Sequence, residues 1–235
     1  MALPKLETPK HSCVLPSSGE TVNFRPFLVG EQKVLLVAQE SENTNEQVSE
    51  MIRLIDICCD DMDAKELATI DLEYLFLQLR IKSVGETADV QMECQHCNEP
   101  NSITVELEQT IVQEPEKIID HVVNITDTIA FDLRVPSYKI VNSVNLENPE
   151  DPKVIFEVVA KCINSIIDGD EIHTRDDFTD KELMSFLDSM SMEMFEKVQQ
   201  FFTHVKTLRI NGSYECEHCG ETNTYELVGI GNFFG

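Results

Sequence analysis

The chain has 235 residues, of which 42% are hydrophobic, enough to bury a core in one or two domains. Its 43 acidic residues against 18 Lys and Arg give a formal charge of −25. That charge argues against a nucleic-acid backbone as partner, because such affinity rests on cations, and no apolar run approaches the ~20 residues of a membrane span.

Residues 1–19 read as an extended N-terminal arm, with Pro4, Pro9 and Pro16 followed by Ser17-Ser18-Gly19. Nothing in Met1-Ala2-Leu3-Pro4-Lys5 has signal-peptide character, so a reducing cytoplasm is expected for the eight cysteines. Residues 20–147 form the expected N-terminal α+β part. Thr21 to Phe27 reads as a strand, Val29-Gly30-Glu31 as a turn, and Lys33 to Ala38 as a strand or a helix start. A helix is expected over Thr44 to Cys59, with Val48, Met51, Ile52, Ile55 and Cys59 at helical spacing. Asp63 and Glu66 have the spacing of a capping box for a second helix, whose stripe is Leu67, Leu72, Leu75, Phe76 and Leu79 and which Gly85 ends. Thr104 to Val112 reads as a strand. His121 to Ile125 and Ile129 to Val135 read as a hairpin about Thr126-Asp127. Ser137-Tyr138-Lys139-Ile140 opens a short helix, and Asn148 to Pro152 is a linker.

Residues 148–235 form the expected helical C-terminal part. One amphipathic helix is expected over 152–168, closed by Asp168-Gly169-Asp170, and a short strand over Glu171 to Thr174. Thr179 with Glu182 caps a further helix, and Ser191 starts the last one. Met184, Met190, Met192 and Met194 cluster there as adaptable core or as a partner-facing surface. The tail Gly229 to Gly235 ends in Phe233-Phe234, which packs on the chain's own core or enters a partner.

Two stretches far apart carry the chemistry. Glu93-Cys94-Gln95-His96-Cys97-Asn98 and Glu215-Cys216-Glu217-His218-Cys219-Gly220 each place a Cys-x-x-Cys pair between strand-like flanks. Two residues between cysteines let both sulfurs face one point, and Asn98 and Gly220 suit the left-handed backbone of such a turn. Tetrahedral zinc takes four thiolates at about 2.3 Å, so Cys94, Cys97, Cys216 and Cys219 read as ligands of one structural Zn²⁺ in a zinc ribbon formed by distant hairpins. Two disulfides, or a redox dithiol with a depressed thiol pKa, are the other readings of the same cysteines. With four thiolates to hand, His96 and His218 read as solvent-facing spacers. Cys58, Cys59 and Cys162 lie in apolar helical patterns and read as core.

No phosphate-binding glycine loop, His-Glu-x-x-His pair or Gly-x-Ser-x-Gly elbow occurs, so no catalytic residue is expected. Phe24-Arg25-Pro26-Phe27-Leu28-Val29, Glu31 to Leu36, Asp71-Leu72-Glu73-Tyr74-Leu75-Phe76-Leu77, Arg80 and Lys82 to Glu86, with Ala2 to Leu6, resemble the baseplate hub proteins of T-even-like contractile-tailed bacteriophages. The resemblance is strong across roughly residues 2–130 and weaker beyond. It implies a late viral protein of the tail baseplate hub, either a virion subunit or an assembly chaperone. Its partners would be other hub or tape-measure proteins, met in the host cytoplasm during assembly or in the virion tail baseplate. The reading from another class is an acidic zinc-ribbon module of transcription or nucleic-acid machinery. The fold expected throughout is α+β, helices with a mid-chain antiparallel β region.

Overall fold

The computed structural model describes residues 8–33, 44–115, 120–144 and 152–229. The chain is α+β and divides into two compact units that interleave in sequence. The first takes residues 1–64, 70–113 and 206–235, and the second takes 65–69 and 114–205. Among the described residues, no helix is long and apolar enough to cross a membrane.

In the first unit, strand β1 (His11–Val14) pairs antiparallel with β2 (Thr21–Phe24), so part of the segment expected as an arm is a paired strand. Leu15 and Phe24 are each 2% exposed. Residues 29–33 are helical, and the element expected onward from Lys33 falls outside the described residues. Helix α1 (Thr44–Cys58) buries Met51, Ile52 and Ile55 of the expected stripe, with Leu54 and Cys58 beside them, while Val48 is only half-buried and Cys59 is buried just past the helix end. The expected capping box at Asp63 does not start a helix. Ala64–Glu66 is a single 3₁₀ turn in which the Ala64 N–H donates to Asp56 Oδ1 at 2.8 Å, and α2 (Thr69–Ser83) begins later. Leu72, Leu75, Phe76 and Leu79 are buried on α2, and Gly85 follows its end with φ 141°. Near the N-terminus of α2, buried Asp71 accepts from the Ser17 N–H at 2.8 Å and from the Ser17 hydroxyl. That pins the N-terminal loop where a helix end favours negative charge.

Two hairpins complete this unit: β3 (Thr87–Glu93) with β4 (Pro100–Glu106), and β10 (Thr207–Glu215) with β11 (Thr222–Val228). The strand expected over Thr104 to Val112 is broken. Leu107–Gln109 turns as 3₁₀, and β5 (Ile111–Gln113) leaves β4 to pair with β10. Buried Leu107 causes the break: its N–H bonds to Glu86 O and its C=O receives the Thr110 N–H.

The second unit carries a four-stranded antiparallel sheet in the order β6 (Val122–Asn124), β7 (Ile129–Leu133), β8 (Ile163–Asp168) and β9 (Glu171–Thr174). Short helix α3 (Tyr138–Asn142) is capped by Ser137, whose hydroxyl accepts from the Ile140 N–H. The linker expected at 148–152 falls almost wholly outside the described residues. The single helix expected over 152–168 is instead helix α4 (Pro152–Cys162) running straight into β8. Ile163, Ile166 and Ile167 are β-branched, and β8 is hydrogen-bonded on both sides, which outweighs a short helical pattern. Asp168-Gly169-Asp170 is therefore a β8–β9 hairpin turn, with Gly169 at φ 58°, and not a helix end. Helix α5 (Asp180–Asp188) has the expected capping box, with Thr179 and Glu182 bonded reciprocally, and Ser191 caps α6 (Met192–Thr203). The sheet and α4 to α6 enclose a core that includes Phe131, Ile163, Leu183, Phe195, Val198 and Phe201. Phe156 of α4 stacks on Phe195 at 4.1 Å, and Met184, Met190 and Met194 pack against this core, while Met192 is 71% exposed.

Candidate metal centre

Each Cys-x-x-Cys sits in the turn of one long hairpin, where Glu93 faces Pro100 and Glu215 faces Thr222. The same two backbone bonds close both turns. Cys94 N–H donates to Glu99 O at 3.0 Å and Asn98 N–H to Cys94 O at 2.9 Å. Cys216 N–H donates to Glu221 O and Gly220 N–H to Cys216 O, both at 2.9 Å. Asn98 at φ 59° and Gly220 at φ 76° occupy the left-handed region that these closures demand.

The structure brings the four sequence-distant thiols together. Cys94 Sγ lies 3.7 Å from Cys219 Sγ, Cys97 Sγ lies 3.6 Å from Cys216 Sγ, and all four sulfurs are within 4.8 Å of one another. A tetrahedron with metal–sulfur bonds of about 2.3 Å has edges of about 3.8 Å. The short separations match that edge, and a modest contraction of the rest closes the site. A disulfide requires about 2.05 Å, and all eight cysteines are free thiols. The group can therefore hold one metal ion. Among the described residues, no other set of three or more His, Cys, Asp or Glu ligand atoms converges in this way. His96 and His218 are exposed and outside the set.

Two asparagines that the sequence reading passed over join the hairpins reciprocally. Asn223 of the second hairpin is 1% exposed. Its Oδ1 accepts from the Gln95 N–H at 2.8 Å, and its Nδ2 donates to Glu221 O at 3.0 Å and to Cys94 Sγ at 3.4 Å. Asn101 of the first hairpin is 3% exposed. Its Oδ1 accepts from the Glu217 N–H at 3.0 Å, its Nδ2 donates to Glu99 O at 2.9 Å, and its side chain also bonds to Cys216. Only a carboxamide supplies an acceptor and two donors in this arrangement. The signal was present in the sequence: Cys94-Gln95-His96-Cys97-Asn98-Glu99-Pro100-Asn101 and Cys216-Glu217-His218-Cys219-Gly220-Glu221-Thr222-Asn223 place each Asn identically after its knuckle. Further bonds between the hairpins run from Tyr214 Oη to Glu93 O at 3.2 Å and from Gln95 Nε2 to Thr224 O at 3.1 Å.

The electrostatics separate the thiols. Burial raises the Cys94 thiol, yet the N–H groups of Cys97 and His96 and the Asn223 amide outweigh it and bring Cys94 down to about 6. Cys216 is lowered in the same way: the N–H groups of Cys219 and His218 and the Asn101 side chain overcome its burial. The Glu99 N–H favours a Cys97 thiolate, but burial and the three neighbouring thiols prevail and push Cys97 up to about 12. For Cys219 the Glu221 N–H and Cys97 favour the thiolate, but burial and the Cys216 and Cys94 thiols prevail and raise it. Four thiolates at this separation need a cation among them, and a bound metal deprotonates such thiols outright. By contrast, burial pushes Cys13 and Cys58 up to about 11 and Cys59 and Cys162 up to about 12, as inert core thiols.

The T4 bacteriophage base plate protein family matches residues 8–235. No curated protein and no solved structure matches the chain. A family match that runs from the first described residue to the last residue of the sequence, through both cysteine hairpins, establishes that this chain belongs to the T4 bacteriophage base plate protein family.

Proposed function

We propose that this protein is a non-enzymatic subunit or assembly factor of the baseplate hub, and that Cys94, Cys97, Cys216 and Cys219 hold one structural Zn²⁺ that locks its first unit. The convergence of four thiols is the observation that carries the zinc reading. Four protein ligands fill a tetrahedral ion and leave no position for substrate, so the ion serves stability. It ties a mid-chain hairpin to one near the C-terminus, and its binding free energy counts toward folding. The baseplate role rests on the family match, and the hub on the resemblance of Phe24 to Val29 and Asp71 to Leu77 to hub proteins.

The acidic nucleic-acid module has little to favour it. Glu93, Glu99, Glu215, Glu217 and Glu221 surround the knuckles, and a phosphate backbone would meet carboxylates there. Partners are other baseplate proteins, met through protein surfaces. Mass spectrometry of purified virions tests the placement. Peptides of this chain at a fixed ratio to known baseplate subunits support a virion component. Their absence, with the chain bound to hub intermediates in infected cells, supports an assembly factor. Absence from both contradicts the reading.

A further inference from the structure

The second unit carries a cavity of about 370 Å³ between the sheet and α5. Its floor is apolar, formed by Ile129 and Ile166 of the sheet, Phe178 just before α5, and Leu183 and Phe186 of α5. Its mouth is acidic, with Asp168 from the β8–β9 turn, Asp177 and Glu182, and His173 beside them. None of the lining residues is Lys or Arg. The nearby cation Arg175 is paired with Asp180 and lies 5.2 Å from the centre of the Phe178 ring, so that aromatic wall already carries a guanidinium.

Two of the carboxylates are fixed before any ligand arrives. Asp177 Oδ2 accepts from the Thr174 N–H at 2.7 Å and hydroxyl at 2.8 Å. Glu182 Oε2 accepts from the Thr179 N–H and hydroxyl, both at 2.8 Å. These bonds hold both carboxyls below their usual range, so both are ionised at neutral pH and each keeps its second oxygen for another partner. The carboxylates do not converge tightly enough to hold one metal ion, since the only such group among the described residues is the four cysteines. An apolar floor under a spread ring of fixed anions fits a cation that is broad, weakly hydrated and carried on an aliphatic stem. Guanidinium has those properties and stacks on aromatic rings, whereas a compact ammonium is more strongly hydrated.

We propose that this cavity is a docking slot for an arginine side chain of a partner protein, its stem on Ile129, Ile166 and Phe186 and its guanidinium among Asp168, Asp177 and Glu182. The occupant is a basic segment of another protein, because a second copy of a chain with formal charge −25 brings repulsion to an acidic mouth. The slot lies wholly in the second unit and is independent of the metal centre.

The test uses the full chain as purified and three probes: N-acetyl-arginine amide, its neutral isostere N-acetyl-citrulline amide, and N-acetyl-norleucine amide. Amide shifts are followed by NMR. The arginine probe is expected to shift Ile166, His173, Phe178 and Leu183 saturably. Citrulline and norleucine should bind at least ~3-fold more weakly, within the modest effect of exposed ion pairs, and only the arginine shifts should fade as salt rises. Asp168→Asn, at an exposed turn outside both capping bonds, should weaken arginine alone about threefold, and Asp168→Lys should abolish its binding with the spectrum otherwise preserved. Three results overturn the proposal: no saturable shift, citrulline equal to arginine, or an arginine affinity unchanged in Asp168→Lys. Self-association through these same residues overturns it in favour of a second copy.

Discussion

Replacing Asn223 by Ala tests whether the two hairpins are held by side-chain amides as well as by sulfur. The side chain is 1% exposed, and its loss removes one bond from the Gln95 N–H, one to Glu221 O and one to Cys94 Sγ. Each internal bond contributes about 1 kcal/mol net, and a buried group left without a partner costs about 1–3 kcal/mol. Gln95 is exposed, so its N–H regains water, while Glu221 O keeps the Cys216 N–H and the Cys94 sulfur keeps the His96 N–H, so the loss is that of the three bonds themselves and not of an orphaned group. The sum is about 2–4 kcal/mol, or a fall in Tm of roughly 5–15 °C for a chain of this size. Asn223→Asp should be worse, because it keeps the shape and sets a carboxylate against a thiolate. Calorimetry of the metal-replete protein, with metal loss to a chromophoric chelator followed in parallel, reads both effects. Asn101→Ala should behave alike, since its bonds mirror those of Asn223. A melting temperature within about 1 °C of wild type, with unchanged chelator resistance, would refute the reasoning.

Cys216→Ser leaves three thiolates, and is expected to release metal and lower Tm by more than ~10 °C, seen by calorimetry with metal analysis. Gly212→Ala reverses the usual sign of a glycine replacement in a strand. The new Cβ would lie 2.3 Å from Tyr225 Oη on the paired strand, so displacement of that ring should cost about 1–3 kcal/mol, where a strand glycine otherwise gains from alanine. Glu31 accepts from Arg25 at 3.0 and 2.7 Å and from the Leu28 N–H at 2.6 Å, and the Arg25 bond foremost holds its carboxyl below the usual range. Its stabilisation is thus fully present above the ordinary carboxylate value and lost as pH falls through the lowered one. Urea unfolding of Glu31→Gln should show its deficit at neutral pH and converge on wild type in acid.

The cysteine set was legible because its spacing encodes local turn geometry: Asn98 and Gly220 announce the left-handed closure, and four equivalent thiols leave few other assignments. Helix starts with a side-chain signature, such as Thr179 with Glu182 and Ser191, were legible for the same local reason. Asp63 with Glu66 has that signature too, yet Asp56 bonds the Ala64 N–H and the helix starts at Thr69. The conversion of 163–168 to a strand was not legible, because Ile163, Ile166 and Ile167 follow the i, i+3, i+4 spacing of a helix and only pairing with β7 and β9 overrides it. The departure of β5 from β4 is likewise set by a distant partner, β10. Asn101 and Asn223 were missed because each acts across the hairpins, although the repeated Cys-x-His-Cys-x-Glu-x-Asn order carries the signal.

The most direct measurement is the metal content of the native protein, by mass spectrometry of the intact chain under non-denaturing conditions with elemental analysis of the same sample. We expect one Zn²⁺ per chain, four thiols shielded from alkylation until a chelator or acid removes the ion, and a large fall in Tm on removal. A folded chain without metal, whose Cys94, Cys97, Cys216 and Cys219 alkylate freely and whose melting is indifferent to chelator, would contradict the account.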